Sequence, residues 1–441
     1  MFSVFFSLLF ARAVSSLLRL FKKGATTLPG RVALFIKYDI LSVLSKDVRI
    51  ICVTGTNGKT TTCALIEQAL VKCQKSCFIN KSGANMLSGV TTSFVINSTL
   101  FGRCKKDFAI LECDENSLPL ISRYIDAEVL AVTNIFRDQL DRYGEVSHTL
   151  GVIKNGIDNM QGAILVLNAD CPLTNSLSSG NSVTFGIDAD YRDIDVMEAR
   201  YCPRCQRCLV YDKRVFSHLG AYRCTGCDYK RGRVDFEARN IRLLNEKGSE
   251  FELVTNNKRF DMSCRLGGIY NVYNILCAAA VLSCVGIDDA LLLSDFEGAF
   301  GRLESFYNGE QRIMLLLVKN PVGMSSCIKY VSKLDGVSKI VFALNDNYAD
   351  GRDISWIWDS DFEPLSGDKS YYTFGTRSED MAVRLKYSGV KTAKTLSGED
   401  INALMGVINS DGDTVILANY TAMMKIRPYL KREFGGKEFW Q

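Results

Sequence analysis

The 441-residue sequence has no strong excess of charge of either sign, only two histidines and no long uninterrupted apolar run. Its 53 lysine and arginine residues against 49 aspartate and glutamate residues give a formal charge of +4. That balance does not indicate the concentrated basic face of a polynucleotide-binding protein, so we expect no nucleic acid partner. The two histidines, His148 and His218, provide no convincing Cys–His hydrolase pair.

The N-terminal stretch is apolar, but charges interrupt it too early for it to cross a bilayer. Arg12 and Arg19 break the run within residues 1–22, and the positive charge follows the apolar residues, which is the reverse of a signal peptide. The pattern predicts an amphipathic helix. That helix either packs on the body of the protein or rests on a membrane surface.

The composition, 47% apolar and 23% charged, predicts two or three globular domains. Most of the sixteen cysteines are spread through predicted strands and helices, where a thiol acts as a small buried hydrophobe. Four cysteines differ, because they form two C-x-x-C pairs separated by eighteen residues: Cys202, Cys205, Cys224 and Cys227. This spacing predicts a structural Zn²⁺ ribbon with short strands at 209–211 and 221–223, and Cys208 as a spare or alternative ligand. A redox dithiol pair is the alternative.

A glycine-rich turn is the most informative part of the sequence. Residues 54–60, Thr-Gly-Thr-Asn-Gly-Lys-Thr, follow the apolar run 48–53 and precede a helical pattern. A strand, such a turn and a helix N-terminus together form a phosphate site, so we predict binding and hydrolysis of a nucleoside triphosphate. Val53 stands where the usual phosphate-loop pattern has its first glycine, and an ordinary turn with a helix cap is the alternative. We expect Lys59 to lie on the surface of a cleft.

The region from 50 to 170 alternates apolar strands with helical patterns, which predicts a doubly wound, mostly parallel α/β sheet. The strand candidates are 50–53, 77–80, 108–112, 129–133 and 163–167. Ligands bind beyond the carboxyl ends of such strands. Glu112 ends one of them and is a candidate Mg²⁺ ligand, Asn134 follows another, and Thr91 and Thr92 lie in a predicted loop that would supply a further hydroxyl.

These motifs resemble those of the Mur ligase superfamily, which forms amide bonds by activating a carboxylate as an acyl phosphate. Besides the phosphate loop, Glu112 and Asn134, the resemblance includes segment 138–144, Asp-Gln-Leu-Asp-Arg-Tyr-Gly, and Asn-Ala-Asp at 168–170. Gln139 replaces a histidine that binds a second metal in that family. Lys154 falls where many members carry a carbamylated lysine, and an exposed helical lysine is the alternative.

The resemblance implies further nucleotide contacts. Asn271 and Asn274, within 266–274, match asparagines that face the nucleotide, although capping a helix is the alternative reading. Arg302, in Gly-Arg-Leu-Glu at 301–304, matches an arginine that reaches the γ-phosphate. The implied site therefore binds ATP with Mg²⁺ on Thr60 and Glu112, and its remaining residues are Thr56, Asn57, Gly58, Lys59, Thr61, Asn271, Asn274 and Arg302.

The apolar pattern of the C-terminal part of the sequence predicts a second α/β unit. Its expected strands are 313–317, 339–344, 370–374 and 414–417. The loop 345–359 contains four aspartates and two tryptophans. It is interpreted either as a binding loop or as a rigid loop whose aspartates satisfy local backbone donors.

Three features together resemble one branch of the superfamily, the MurT subunits of lipid II isoglutaminyl synthase. Only about 48 residues precede the phosphate loop, so we expect no uridine-diphosphate domain like that of ordinary Mur ligases, and the four-cysteine insert and the 350–359 loop complete the likeness. The expected domains are an N-terminal helical segment, 1–48, a central ATP-binding domain, 49–304, with a zinc-ribbon insert, 198–232, and a C-terminal glutaminase-docking domain, 305–441.

The resemblance implies that ATP phosphorylates the α-carboxylate of D-glutamate in the lipid II stem peptide and that ammonia then gives D-isoglutamine, with Lys59 and Glu112 as catalytic residues. The ammonia would come from a GatD-type glutaminase subunit in a heterodimer, whose Cys–His pair Asp353, or alternatively Asp350, would complete. We expect such an enzyme in the cytoplasm, at the cytoplasmic face of the membrane.

Two other functions remain open at this stage. An amino-acid ligase of the folylpolyglutamate synthetase kind would work without a glutaminase. A binding protein would use ATP for regulation and the zinc insert to recruit partners.

Overall fold

The computed structural model describes residues 2–20, 26–80, 84–137, 146–191, 198–244, 248–296, 303–365, 368–390, 393–396 and 398–435. These residues form two compact units. The first contains most of residues 2–296, and the second contains residues 303–435 with a few residues from earlier in the chain.

The first unit is built on a nine-stranded sheet in the order β11-β10-β9-β6-β5-β4-β1-β3-β2. Strands β1 to β6 and β9 pair in parallel, and β10 and β11 add an antiparallel edge. The strands are β1 (Arg49–Thr54), β2 (Cys77–Ile79), β3 (Phe108–Glu112), β4 (Val129–Val132), β5 (Ile164–Asn168), β6 (Ser182–Ile187), β9 (Phe236–Leu243), β10 (Ser249–Thr255) and β11 (Arg259–Cys264). Every strand predicted from an apolar run is present, which confirms the doubly wound α/β prediction for this unit.

Helices cover the sheet because their apolar faces need burial. The helices of this unit are α1 (Phe2–Leu20), α2 (Leu28–Ile36), α3 (Ile40–Leu44), α4 (Lys59–Lys72), α5 (Leu87–Asn97), α6 (Leu118–Ile121), α7 (Val146–Asp158), α8 (Pro172–Asn175) and α9 (Ile269–Cys284). The alanine-rich α9 is buried along most of its length and packs against α4 and the sheet. None of the described helices combines the length and the apolarity needed to cross a membrane.

The N-terminal helices are attached to α5. Gly30, near the start of α2, donates its N–H to Thr92 Oγ1 at 2.8 Å, and a Cβ on Gly30 would overlap the Ser88 carbonyl oxygen of α5. Ser7 Oγ of α1 donates to the Ala33 carbonyl of α2 at 2.9 Å. One face of α1 therefore packs on the body of the protein, which was one of the two readings of the sequence.

A hairpin of the first unit is inserted between β6 and β9, outside the nine-stranded sheet. Its strands, β7 (Leu209–Phe216) and β8 (Leu219–Cys224), pair antiparallel and contain both short strands predicted between the cysteine pairs. Buried Tyr222 and Tyr229 form a small core beneath the four cysteines.

The second unit has a six-stranded sheet in the order β12-β13-β17-β14-β15-β16, parallel except for β12. The strands are β12 (Leu303–Asn308), β13 (Gln311–Leu317), β14 (Val337–Ala343), β15 (Ser370–Phe374), β16 (Ala393–Thr395) and β17 (Asp413–Ala418). Helices α10 (Pro321–Ser332), α11 (Ser378–Tyr387), α12 (Ile401–Ile408) and α13 (Tyr420–Phe434) enclose two apolar cores, one on each face.

The two units divide a few residues before the boundary expected after Glu304. Strand β12, which contains Glu304, pairs antiparallel with β13, so its hydrogen bonds place it in the second sheet. Arg427 of α13 anchors the strand further, because its Nε donates to both Glu304 carboxylate oxygens at 2.9 and 2.8 Å.

Candidate active site

The phosphate-loop candidate lies between β1 and α4, as the sequence predicted. Gly55 and Gly58 adopt φ values of 117° and 89°, which L side chains rarely adopt. Space also excludes a side chain at both positions. A Cβ on Gly55 would overlap Thr133 Oγ1, and one on Gly58 would overlap Asn274 Oδ1. The loop therefore needs glycine here for conformation and for close packing.

Residues at the end of β4 fix the shape of this loop. Asn134 binds the Asn57 main chain on both sides: its Oδ1 accepts the Asn57 N–H at 2.9 Å and its Nδ2 donates to the Asn57 carbonyl at 3.0 Å. Thr133 Oγ1 donates to the same carbonyl at 2.7 Å. Thr56 Oγ1 exchanges hydrogen bonds with the main chain of Phe136. Asn134, predicted from its place after a strand, thus positions the loop.

The two candidate Mg²⁺ ligands meet at the N-terminus of α4. Thr60 Oγ1 donates to Glu112 Oε2 at 2.9 Å. The main chain of Glu112 is held by Asn80, which accepts the Glu112 N–H and donates to its carbonyl, both at 2.8 Å. A hydroxyl and a carboxylate oxygen beside a phosphate loop are the hard oxygen donors that Mg²⁺ prefers, so the residues present fit the ion.

Lys59 does not lie on the surface of a cleft, contrary to expectation. Its side chain is 8% exposed and pairs with the 4% exposed side chain of Glu115, with Nζ 3.2 and 3.3 Å from the two carboxylate oxygens. Nζ also donates to the Gly55 carbonyl. Sequence reasoning did not assign Glu115 a role; the signal was a second carboxylate three residues after Glu112 in the same strand-end loop.

The start of α9 borders the phosphate loop. Asn274, which touches Gly58, donates through Nδ2 to Asn271 Oδ1 at 3.1 Å, and Asn271 Nδ2 donates to the Gly267 carbonyl at 2.7 Å. Both asparagines and Thr61 are buried. The structure therefore brings two candidate nucleotide contacts, Asn271 and Asn274, to the loop from a helix more than 200 residues later in the chain.

Thr91 and Thr92 do not lie in a loop, so the prediction of a spare hydroxyl there is wrong. Both residues are inside α5 and buried, and each donates its hydroxyl proton to the carbonyl four residues earlier, at 2.8 Å. Packing of α2 against α5 outweighs the weak helix propensity of this Ser-Gly-Val-Thr-Thr stretch.

The remaining residues proposed from the sequence are Arg302, segment 138–144, Lys154 and Asp170. Arg302 and segment 138–144 lie outside the described residues. Lys154 is exposed on α7, as an ordinary surface lysine is. Asp170 is fully buried and accepts hydrogen bonds from Arg231 Nε at 2.6 Å and Tyr273 Oη at 2.8 Å, so its role is to tie the hairpin region and α9 to the end of β5.

The four predicted metal ligands converge. The thiol sulfurs of Cys202, Cys205, Cys224 and Cys227 all lie within 4.8 Å of one another. Two backbone N–H groups point at sulfur, from Arg204 to Cys202 at 3.4 Å and from Gly226 to Cys224 at 3.2 Å. Four thiols at this spacing fit tetrahedral Zn²⁺ with no open coordination position. Cys208 is exposed and outside the cluster.

The aspartate-rich loop of the second unit is anchored by Trp356, which is buried in the apolar core. Asp350 is also buried, and both of its oxygens accept hydrogen bonds from Thr421; burial raises its pKa. Asp353 is less buried, and hydrogen bonds from Ser355 lower its pKa. Buried Trp356 and Asp350 thus hold the loop in place, while Asp353 keeps a more accessible carboxylate.

The comparison with known proteins covers both units. Residues 53–220 match the family described as Mur ligase middle domain, and residues 317–423 match the family described as MurT ligase C-terminal. Over 431 residues the chain is 36% identical to the MurT subunit of lipid II isoglutaminyl synthase (glutamine-hydrolyzing) from Streptococcus pneumoniae, covering 94% of each chain. The chain belongs to the MurT family of Mur ligases.

A second MurT subunit, from Staphylococcus aureus, is 35% identical over 425 residues, again covering 94% of each chain. Solved structures of other Mur-type ligases share the fold. A pseudomurein peptide ligase type C from Methanothermus fervidus has a TM-score of 0.69 at 20% identity, covering 89% of this chain and 80% of that one. MurF ligase from Thermotoga maritima, solved with ADP, has a TM-score of 0.62 at 14% identity, and the match covers 92% of this chain and 84% of that one. The predicted Mur ligase fold is confirmed.

Proposed function

We propose that this chain is the synthetase subunit of a lipid II isoglutaminyl synthase, which uses ATP to convert the α-carboxylate of D-glutamate in the lipid II stem peptide to an amide during peptidoglycan synthesis. The observation that carries the proposal is the near full-length similarity to MurT subunits named for this activity. The geometry around Lys59, Thr60 and Glu112 supports it, because these groups suit the transfer of a phosphoryl group.

The chemistry has two steps. The α-carboxylate attacks the γ-phosphorus of ATP, the bond from that phosphorus to the β–γ bridging oxygen breaks, and ADP leaves with an acyl phosphate formed. Ammonia then attacks the acyl carbon, and phosphate departs with one oxygen of the original carboxylate. The proton that the nitrogen loses passes to solvent.

Residues of this chain would stabilise the charge that moves in the first step. Lys59, together with Arg302, would contact the γ-phosphate, while N–H groups of the loop that Asn134 holds would bind the phosphates, apart from the Asn57 N–H, which donates to Asn134 itself. Thr60 and Glu112 would hold Mg²⁺, which neutralises charge on the phosphates when bound. Asn271 and Asn274 would border the nucleotide, since they flank Gly58.

Ammonia would come from a separate GatD-type glutaminase subunit. The names of the MurT relatives describe one subunit of a glutamine-hydrolysing enzyme. In this chain, Asp353 has the accessible carboxylate that could orient a partner's catalytic histidine, whereas Asp350 already accepts two hydrogen bonds from Thr421. We therefore assign the partner-facing role to Asp353 and a structural role to Asp350.

The four-cysteine cluster would bind Zn²⁺ as a structural element, because all four ligands come from the protein and no position remains for substrate.

A test separates this function from an amino-acid ligase. Purified chain, lipid II, ATP and ammonium should give amidated lipid II, and glutamine should replace ammonium only when the glutaminase is added. Asp353→Asn should lose the glutamine-driven reaction and keep the ammonium-driven one, because an amide cannot stabilise the imidazolium of the partner. Asp359→Asn, an exposed aspartate of the same loop, is the matched control and should retain both. Incorporation of an amino acid in place of ammonia would refute the proposal.

A further inference from the structure

Helix α1 is apolar on two opposite faces. Val4, Leu8 and Ala11 lie on the buried face, which Ser7 ties to α2. At about 100° of rotation per residue, the opposite face carries a second set of large apolar side chains that are 40–84% exposed. That set is Phe2, Phe6, Leu9, Phe10 and Leu17.

This second apolar face continues beyond the helix. The ring of Phe5 lies 5.9 Å from the ring of Phe101, a residue 73% exposed at the tip of the loop between α5 and β3. Isolated exposed apolar residues are ordinary, but six clustered on one surface indicate that something covers them. We call Phe2, Phe6, Leu9, Phe10, Leu17 and Phe101 the exposed apolar face.

The charged residues of the N-terminal helical segment and of the Phe101 loop are mainly basic. Residues 2–39 contain six lysine and arginine residues against one aspartate, Asp39, which pairs with Lys37, although the whole chain is nearly balanced. The loop that carries Phe101 adds exposed Arg103 and Lys105 against exposed Asp107, whose carboxylate accepts hydrogen bonds from Ser76. Apolar side chains flanked by cations match a bilayer whose headgroups are anionic. A second copy of this chain would instead bring like charges together.

We infer that the exposed apolar face rests on the surface of an anionic lipid bilayer, with α1 lying in the plane of the interface. The helix is not long and apolar enough to span the bilayer, and its other face is already packed on the protein, which fits a surface contact. This inference rests on the proposed function for its purpose. An enzyme held at the membrane surface would meet its lipid-linked substrate there.

Vesicle binding tests the inference without substrate or ATP, so its failure would leave the proposed amidation untouched. The full chain should co-sediment with vesicles of phosphatidylglycerol and phosphatidylcholine, and less with phosphatidylcholine alone or at high salt. Phe6→Ser/Phe10→Ser should lower the partition coefficient about tenfold or more, because two largely exposed rings no longer enter the apolar layer. Phe2→Ser/Leu17→Ser provides an independent second variant.

The matched control is Val71→Ser/Tyr307→Ser, which removes two exposed apolar side chains elsewhere, one from each unit, and should bind as the parent does. Circular dichroism checks that each variant is folded. The inference is overturned if the parent protein fails to bind anionic vesicles at low salt, or if both N-terminal variants bind like the control. It is also overturned if the lipid-free parent is a dimer that Phe6→Ser/Phe10→Ser converts to monomer, since a second copy would then cover the face.

Discussion

The buried pair between Lys59 and Glu115 makes the phosphate-loop lysine a structural residue in the nucleotide-free protein. Both side chains are less than a tenth exposed, and Nζ lies 3.2 and 3.3 Å from the two carboxylate oxygens. Removing one partner of a buried pair leaves the other charge in a poorly solvated place, which typically costs about 3–5 kcal/mol. Lys59→Met should therefore lower the free energy of unfolding by about 3 kcal/mol in the absence of nucleotide.

A double-mutant cycle measures the coupling energy between Lys59 and Glu115. Glu115→Gln should also destabilise the protein, and Lys59→Met/Glu115→Gln should lose less than the sum of the two single changes, with a coupling energy of about 1–3 kcal/mol. Urea unfolding followed by circular dichroism, with m values compared, gives the four free energies.

Helix α4 offers a matched control in Lys72. Its Nζ lies 3.5 Å from an Asp295 side chain that is 87% exposed, and such surface pairs contribute about 0–1 kcal/mol. Lys72→Met should therefore remain within about 1 kcal/mol of the parent. Additive effects of Lys59→Met and Glu115→Gln, or a Lys59→Met protein no less stable than Lys72→Met, would refute the reasoning.

Three further predictions concern metal, catalysis and pH. Cys205→Ser should lower zinc content and thermal stability far more than the turnover of the protein that remains folded, measured by metal analysis and ammonium-driven amidation; zinc absent from fresh parent protein would contradict this. Glu112→Gln should reduce amidation at least about 100-fold while leaving the melting temperature near that of the parent, because it weakens Mg²⁺ binding at the phosphates. Burial lowers the pKa of His218 to about 3. Below pH 6.5 the unfolded chain therefore binds a proton at this histidine, whereas the folded chain does not. The free energy of unfolding should then fall by about 2 kcal/mol from pH 7 to pH 5, and His218→Asn, but not the exposed His148→Asn, should remove that part of the slope.

The parallel core of the first unit could be predicted from the sequence because strands buried on both faces are continuous apolar runs, as Phe108–Glu112 is. The antiparallel edge of the same sheet could not be predicted in this way. Strand β10 alternates buried and partly exposed residues, Ser-Glu-Phe-Glu-Leu-Val-Thr, and its mixed composition resembles many surface segments. Its place in the sheet depends on pairing with β9 and β11, which are distant from the phosphate-loop motif.

The candidate active site, too, could be predicted from the sequence only in part. Thr60 and Glu112 could be predicted to meet because Glu112 ends β3 and Thr60 lies at the start of the helix after β1, and parallel strands present their carboxyl ends at one edge. The pairing of Lys59 with Glu115, and the choice between Asp350 and Asp353, depend on burial and on partners such as Thr421, which is about seventy residues later in the chain. No local pattern contains that information.

The transfer of oxygen from substrate to phosphate is the most direct test of an acyl-phosphate intermediate in amidation. Lipid II with heavy oxygen at both positions of the α-carboxylate of its D-glutamate is incubated with the purified chain, ATP and ammonium, and the inorganic phosphate and the lipid product are examined by mass spectrometry. We expect one labelled oxygen in each phosphate released and an amide at that carboxyl position. Unlabelled phosphate, or ATP turnover that does not depend on lipid II, would contradict it.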